Sequence, residues 1–161
     1  MNPIRTLLAT TAAALAVPLL ASASAAAAPD VDQHCVADIV QVNRGVIETG
    51  PETCFATETE AADHARGGND ARSADRTIGT HYSGTGYSGS SIRITGDACT
   101  GGTWTPSASW NNNIESSRHH CPGDTTTFYD GSNCSTGSYA ITTDRTSLSS
   151  MNNRASCVRY G

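Results

Sequence analysis

The segment HYSGTGYSGSSIRI, residues 81–94, is followed later in the chain by a second version of itself, FYDGSNCSTGSYAI, residues 128–141. Further along each copy, WNNNIESS from Trp110 is echoed by MNNRASCV from Met151. Tyr82 and Tyr129 are 47 positions apart, and Trp110 and Met151 are 41 positions apart. Self-similarity of this kind predicts two copies of one supersecondary unit.

Both copies consist of short runs of Ser, Thr, Tyr and Gly between turn residues, which is typical of short β-strands. In the first copy, Tyr82 is followed after six residues by Gly89 and then by Ser91, a spacing that resembles the βγ-crystallin Greek key. The resemblance implies a folded-over hairpin in which the glycine takes a positive φ, the aromatic ring covers the bend and the serine hydroxyl holds it. The second copy, from Tyr129 to Gly137, is one residue longer and lacks the matching serine.

The resemblance implies an all-β fold for residues 77–161, in which two Greek-key motifs pair as a two-sheet sandwich. Trp110 and Met151 would then be equivalent core residues, as would Ile114 and Ala155.

The resemblance also implies a calcium site. In calcium-binding members of the family, the second half of each motif has two Asn or Asp residues, two variable residues, a Ser or Thr and then a Ser, and calcium prefers such oxygen ligands. The second copy offers Asn152, Asn153 and Ser156, with Cys157 in the last position. The first copy allows two registers: aligning Trp110 with Met151 gives Asn111, Asn112, Glu115 and Ser116 as candidates, and a shift by one residue gives Asn112, Asn113, Ser116 and Ser117. We favour the first register because it keeps the core positions equivalent. The same Asn and Ser residues are also common turn formers without any metal.

The start of the chain has a short basic region with Arg5, an apolar stretch from Leu7 to Leu20 and a run of small residues, which predicts a secretory signal peptide over residues 1–28. An acidic element over residues 29–67 follows, with a predicted strand at VADIVQV and a predicted helix at TETEAADHA, and then a linker over residues 68–76. This element lies outside the family pattern. It is either a partner-binding appendage or a cover for a sheet edge.

Six cysteines in an exported chain predict three disulfides, for which fifteen connectivities exist. Cys134 and Cys157 align with Tyr87 and Ser116, so both depart from the other copy and are expected to pair. Cys99 and Cys121 would then pair with each other, and a Cys35–Cys54 bond would close the acidic element.

Composition argues against several functions. The sequence after residue 28 carries nine arginines, no lysine and fifteen acidic residues, a formal charge of −6, so nucleic acid is not an expected partner. No local catalytic motif occurs, and the protein is predicted not to be an enzyme. His119 and His120 precede Cys121, but adjacent strand residues point to opposite faces, so we interpret them as exposed loop residues rather than zinc ligands.

The sequence therefore predicts a secreted, monomeric, non-catalytic βγ-crystallin-like protein, without membrane contact after signal cleavage, that binds calcium weakly. The alternative is a secreted metalloprotease inhibitor, because some bacterial inhibitors look like single βγ-crystallin domains. In that case the segment WTPSASW, from Trp104 to Trp110, would be the contact loop. A killer-toxin-like protein is a third hypothesis, disfavoured by the acidic composition.

Overall fold

The computed structural model describes residues 31–67, 76–96, 99 and 101–161. The predicted signal peptide and all of the predicted linker except Arg76 lie outside these residues. The strands are β1 (His34–Asn43), β2 (Val46–Thr49), β3 (Thr53–Phe55), β4 (Arg76–Gly84), β5 (Ser88–Gly96), β6 (Gly102–Trp104), β7 (Ser116–His119), β8 (Thr126–Tyr129), β9 (Ser138–Ile141) and β10 (Cys157–Tyr160). One α-helix, α1 (Glu58–Gly67), and one 3₁₀ turn (Ser149–Met151) complete the described elements. None of the described helices is long and apolar enough to cross a membrane.

Two Greek keys exchange their third strands. In the first key β4 lies between β5 and β7, and in the second key β8 lies between β9 and β10. The third strand of the first key, β6, crosses over and pairs with β10. Reciprocally, Arg145 of the second key forms a β-bridge with Ser117 of β7. The predicted two-motif βγ-crystallin-like sandwich is confirmed.

The acidic N-terminal element closes one side of this sandwich. β1 pairs in parallel with β5, His34–Asp38 against Ser91–Thr95, and antiparallel with β2. β2 in turn pairs in parallel with β6. Ten strands therefore form one continuous, nearly closed sheet. Its two halves are the first sheet (β7, β4 and β5) and the second sheet (β6, β10, β8 and β9) of the sandwich, and β1 and β2 connect them. Of the two roles considered for the element, these pairings match the cover for a sheet edge, because an unpaired edge is a template for aggregation.

Helix α1 forms as the sequence predicts. Its first turn is capped by Thr57, whose hydroxyl accepts a hydrogen bond from the backbone N–H of Glu60 at 3.2 Å, while the Glu60 carboxylate accepts one from the Thr57 N–H at 3.1 Å. This reciprocal contact satisfies two of the donors that every helix start leaves free. The helix packs against β1, β5, β3 and β4, and Glu58 accepts a hydrogen bond from the Tyr82 hydroxyl at 2.7 Å.

The core lies between the two sheets and draws equally on both keys. Trp110 and Met151 are both buried, and Ile114 and Ala155 have no exposed surface. These pairs occupy equivalent places, as the 41-residue offset predicts. Each large apolar side chain buried in this way contributes about 1.5–3 kcal/mol. The apolar cluster comprises, besides these residues, mainly Ile47, Ile78, Ile92, Ile94, Trp104, Phe128, Ile141, Leu148, Val158 and Tyr160.

The disulfides are Cys35–Cys54, Cys99–Cys121 and Cys134–Cys157, the three pairs that the sequence analysis favours. All six cysteines are bonded.

The two folded hairpins share their backbone conformation. Tyr87 and Cys134, which the repeat aligns, both have a positive φ, of 64° and 54°. Gly89 and Gly137 follow with φ of 75° and 42°, values that glycine adopts without steric cost. The role expected for Ser91 is wrong: its hydroxyl contacts Nδ1 of His34 at 2.9 Å instead of holding the bend.

Ser116 holds the bend of the first hairpin. Its hydroxyl donates to the carbonyl oxygen of Gly84 at 2.6 Å and accepts from the backbone N–H of Tyr87 at 3.1 Å. Because Ser91 lies beside β1, its hydroxyl instead ties the first key to the N-terminal element.

Candidate functional site

The two Asn-rich loops meet around a local two-fold arrangement. The backbone N–H of Asn112 donates to the carbonyl oxygen of Ala155 at 3.0 Å, and that of Asn153 donates to the carbonyl oxygen of Ile114 at 2.9 Å. The 41-residue offset of the repeat makes Asn112 equivalent to Asn153 and Ile114 equivalent to Ala155. The two contacts are therefore the same contact made once from each motif. The reciprocity corresponds to the first of the two registers, in which Asn112 is equivalent to Asn153 and Glu115 to Ser156.

Backbone conformation explains why asparagine occupies these two positions. Asn112 and Asn153 have φ of 57° and 54°, in the left-handed region that most side chains disfavour. Asparagine tolerates this region because its short side chain hydrogen-bonds locally. The loop geometry by itself thus accounts for one Asn in each motif.

The side chains of the two loops form matching pairs. The hydroxyl of Ser156 donates to Oδ1 of Asn112 at 2.9 Å. At the equivalent place, the amide of Asn153 donates to Oε1 of Glu115. Asn112 and Asn153 are exposed and their partners half-buried, so both pairs are open to solvent. Glu115 is the only carboxylate in either loop.

The structure places four of the seven predicted calcium ligands in two side-chain pairs, Asn112 with Ser156 and Glu115 with Asn153, which we call the two-loop cluster. Ser116 is buried, and its hydroxyl is committed to the first hairpin. The side chain of Asn152 accepts a hydrogen bond from the Ser147 hydroxyl at 3.2 Å. Asn111 is exposed, and its backbone N–H donates to Ser107 within a turn.

A buried polar chain links the two sheets and was not predicted. His81 has no exposed surface; its Nδ1 lies 3.0 Å from the Ser117 hydroxyl and its Nε2 lies 2.7 Å from the Tyr160 hydroxyl. Burial, and to a smaller extent the nearby His120, lowers the pKa of His81 to about 3, so the ring is neutral at ordinary pH. Burial also raises the pKa of Tyr160 above its usual range.

The buried polar chain contains a serine beside a histidine, the pairing of a nucleophile and its base in some enzymes. Both side chains are enclosed, so a substrate could not reach them. Ser117 is 1 % exposed and His81 is enclosed by the rings of Trp104, Phe128 and Tyr160. The pair therefore serves packing. One feature of the sequence could have indicated that His81 is buried: the 47-residue offset aligns it with Phe128, an apolar core residue.

The interpretation of His119 and His120 as exposed loop residues is wrong. His119 ends β7, and both rings are half-buried. Nδ1 of His119 contacts the Thr126 hydroxyl at 2.9 Å, and Nε2 of His120 contacts the Thr80 hydroxyl at 3.1 Å. Cys121 forms a disulfide with Cys99. The two histidines therefore hold polar contacts within the fold.

The segment from Trp104 to Trp110 is a turn held at both ends. Each tryptophan is 3 % exposed, whereas Thr105 and residues 107–109 are exposed. The backbone N–H of Trp110 donates to the carbonyl oxygen of Ser107 at 3.0 Å. A short exposed tip thus projects between two buried aromatic anchors.

Solved structures similar to this chain are bacterial βγ-crystallin domains. A clostrillin double mutant in complex with nickel is 19 % identical, with a TM-score of 0.45, and the match covers 53 % of this chain and 100 % of that one. A βγ-crystallin domain from Clostridium beijerinckii is 21 % identical, with a TM-score of 0.43 and coverage of 52 % and 97 %. One from Flavobacterium johnsoniae is 24 % identical, with a TM-score of 0.39 and coverage of 51 % and 91 %. No protein-family model and no curated protein matches the sequence.

Proposed function

We propose that this βγ-crystallin-like protein is a secreted, non-catalytic module that binds calcium weakly at the two-loop cluster and is stabilised by it. The observation that carries the proposal is the reciprocal pairing of the loops, which sets Asn112 beside Ser156 and Glu115 beside Asn153.

The spacing of the first pair suits a shared ion. The oxygens of Asn112 and Ser156 are 2.9 Å apart. Two oxygens at that separation, each about 2.4 Å from a calcium ion, subtend an angle of about 75°, close to that between neighbouring equatorial ligands of a pentagonal bipyramid. Such a pair needs little rearrangement to accept the ion.

The second pair is chemically different. It supplies a carboxylate, but Asn153 directs its amide N–H₂ at Glu115. A cation between them requires the amide to turn so that its oxygen faces the ion. With one charged ligand in the whole cluster, the dissociation constant is expected to be about 10⁻⁴ M or weaker, as in extracellular calcium modules.

Calorimetric titration and thermal unfolding test the proposal. With a dissociation constant of 0.1 mM, calcium at one hundred times that concentration stabilises the fold by about 2.7 kcal/mol. Asn112→Gly keeps the positive φ while removing the side-chain oxygen, and together with Ser156→Ala it should abolish binding at the first pair. Asn111→Ala, in the same loop but outside the cluster, is the matched control.

Two results contradict the proposal. One is the absence of both a calcium-binding heat and a shift of the melting temperature at millimolar calcium. The other is equal loss of binding in Asn111→Ala and in the cluster variant. Secretion is tested separately, by sequencing the N-terminus of the protein recovered from culture medium, which should begin near Pro29.

The second candidate function is inhibition of a secreted metalloprotease by the tip at residues 105–109. What favours it is the pair of buried tryptophans, which limits the motion of the exposed residues between them and so lowers the entropy cost of binding. An assay against a thermolysin-like enzyme decides it. Undiminished proteolysis at a stoichiometric excess of the protein would end the idea, and loss of inhibition on replacing residues 107–109 by glycines would support it.

A further inference from the structure

A groove of about 660 Å³ lies on the second sheet, and its described lining has no residue in common with the two-loop cluster. Its floor is the row in which Thr103 of β6 pairs with Val46 of β2 on one side and with Arg159 of β10 on the other. The β8–β9 loop supplies one wall through Ser132 and Asn133. The volume falls within the range of small-ligand sites, about 300–1,000 Å³.

The charge of the groove is opposite to that of the chain. The sequence has more acidic than basic residues, yet the described lining holds Arg44 and Arg159 and neither Asp nor Glu. Within the described part of the chain, neither guanidinium forms an ion pair. Arg159 lies over the ring of Tyr129, 5.3 Å from its centre, which restrains the guanidinium at the groove. The groove is therefore suited to an anionic ligand.

The absence of a side chain at Gly101 helps to keep the groove open. Gly101 does not have a positive φ, and among the described residues a Cβ placed on it would meet only the carbonyl oxygen of Tyr160, at an ordinary 3.6 Å. Neither backbone conformation nor packing against the described residues therefore requires a glycine at this position. What the missing side chain provides is space over the groove floor.

The other lining groups favour a hydroxylated ligand over a peptide. Thr103, Thr105, Ser132 and Asn133 offer short hydroxyl and amide groups, and Val46 is the one exposed apolar residue of the described lining. An extended peptide would need either a free strand edge or apolar anchor pockets. Each of the strands β2, β6 and β10 already has a partner on both sides.

We propose that this groove binds a short acidic oligosaccharide, with Arg44 and Arg159 contacting its carboxylates and the Thr, Ser and Asn side chains contacting its hydroxyls.

Calorimetry with trigalacturonate tests this on the full mature protein, with maltotriose as the neutral control. A chelator in the buffer excludes bridging by calcium, so the result is independent of the two-loop cluster. We expect trigalacturonate to bind, with weaker binding at higher salt, and maltotriose not to bind. Arg159→Ala and Arg44→Asn should each weaken binding about tenfold, since each removes a charge-assisted contact. Asparagine is chosen for residue 44 because that position has a φ of 52°.

Two further variants separate blocking from misfolding. Gly101→Phe should abolish binding while leaving the melting temperature nearly unchanged. Arg66→Ala, which removes an exposed arginine on α1, should leave binding unchanged. The proposal is overturned if trigalacturonate does not bind, if Arg159→Ala and Arg44→Asn bind it as well as the native protein does, or if maltotriose binds equally. Tighter binding of hexaglutamate through the same two arginines would also overturn it and would indicate an acidic protein partner.

Discussion

The two Greek keys fasten the same hairpin to the same strand by different chemistry. In the first key the backbone N–H of Tyr87 donates to the hydroxyl of Ser116. In the second key the equivalent residues, Cys134 and Cys157, are joined by a disulfide. Both keys thus link the folded hairpin to their fourth strand, β7 in the first key and β10 in the second. We infer that the hairpin requires this support. The bond type is free to vary.

The keys also differ at one equivalent core position. His81 of the first key and Phe128 of the second lie edge to face in the same core, 5.4 Å apart. The imidazole makes two hydrogen bonds, whereas the phenyl ring makes only apolar contacts. The first key therefore relies on polar contacts that depend on pH, and the second on covalent and apolar contacts that do not.

The largest effect is expected at acid pH, where the polar contacts of His81 in the first key should lose their contribution to stability. Because the pKa of His81 is about 3 in the folded protein and 6.5 in the unfolded chain, the unfolded chain binds the extra proton first. The contribution of His81 to stability is therefore complete above pH 6.5 and is lost as pH falls towards 3, by about 1.4 kcal/mol per pH unit. Urea unfolding at a series of pH values measures the slope. His81→Phe combined with Tyr160→Phe, which copies the apolar key, should flatten it, and an unchanged slope would contradict the assignment.

Removal of the Cys134–Cys157 disulfide should have the next largest effect on the free energy of unfolding. Cys134→Ser with Cys157→Ser opens a loop of about two dozen residues, which is expected to cost about 3 kcal/mol. Cys134→Tyr with Cys157→Ser copies the first key into the second, and it should recover about 1 kcal/mol of that loss through the new hydrogen bond. Denaturant midpoints of the two double variants, compared under the same conditions, decide the matter. Equal midpoints would mean that the keys are not interchangeable at this point.

Removal of the first fastening should cost less. Ser116→Ala leaves the N–H of Tyr87 and the carbonyl of Gly84 without their partner, at an expected cost of about 1–2 kcal/mol. Ser156→Ala is the control, since its hydroxyl lies at the surface of the two-loop cluster. Similar costs for the two variants would show that the hairpin does not depend on Ser116.

The smallest effect is expected at the surface. Asn113 and Arg154 are equivalent and donate to equivalent carbonyl oxygens, those of Ser109 and Ser150, at 3.1 and 3.2 Å. Arg154 also pairs with Asp130, but its side chain is 55 % exposed. Arg154→Asn should retain the backbone contact and lose the ion pair, which changes stability by a few tenths of a kcal/mol. A loss above 1 kcal/mol would show that the second key depends on this ion pair.

The sequence predicted the parts of the fold that the repeat marks. Positive φ at Gly89 and at Asn112, and buried positions such as Trp110, restrict the side chains allowed, so both copies keep a recognisable pattern. The alignment of Cys134 with Tyr87 and of Cys157 with Ser116 even favoured the disulfide pairs. Within the site, the same offset favoured the register, but it could not show which side chains face the second loop, and it included Ser116, whose hydroxyl is used elsewhere.

The remainder was not predictable because it depends on contacts between distant segments. The parallel pairing of β1 with β5 leaves no local pattern, and it is this pairing that directs Ser91 to His34. The burial of His81 and the half-burial of His120 likewise depend on which strands lie against them. A histidine that lies among polar residues in the sequence gives no hydrophobic pattern from which its burial could be predicted.

The position of β1 has a consequence for the order of folding. β1 joins β5 through residues 57 positions later in the chain, and it holds β2 against β6 of the exchanged strand pair. Contacts between segments so far apart form slowly, because loop closure is unfavourable until both partners are ordered. β1 is also the first of these strands to be synthesised. It can pair at once with β2 and β3, but its edge facing β5 must remain unpaired until β5 has been made. The earliest strand to be made is thus expected to be among the last to join the sandwich, and the acidic residues around it help to keep its unpaired edge from aggregating.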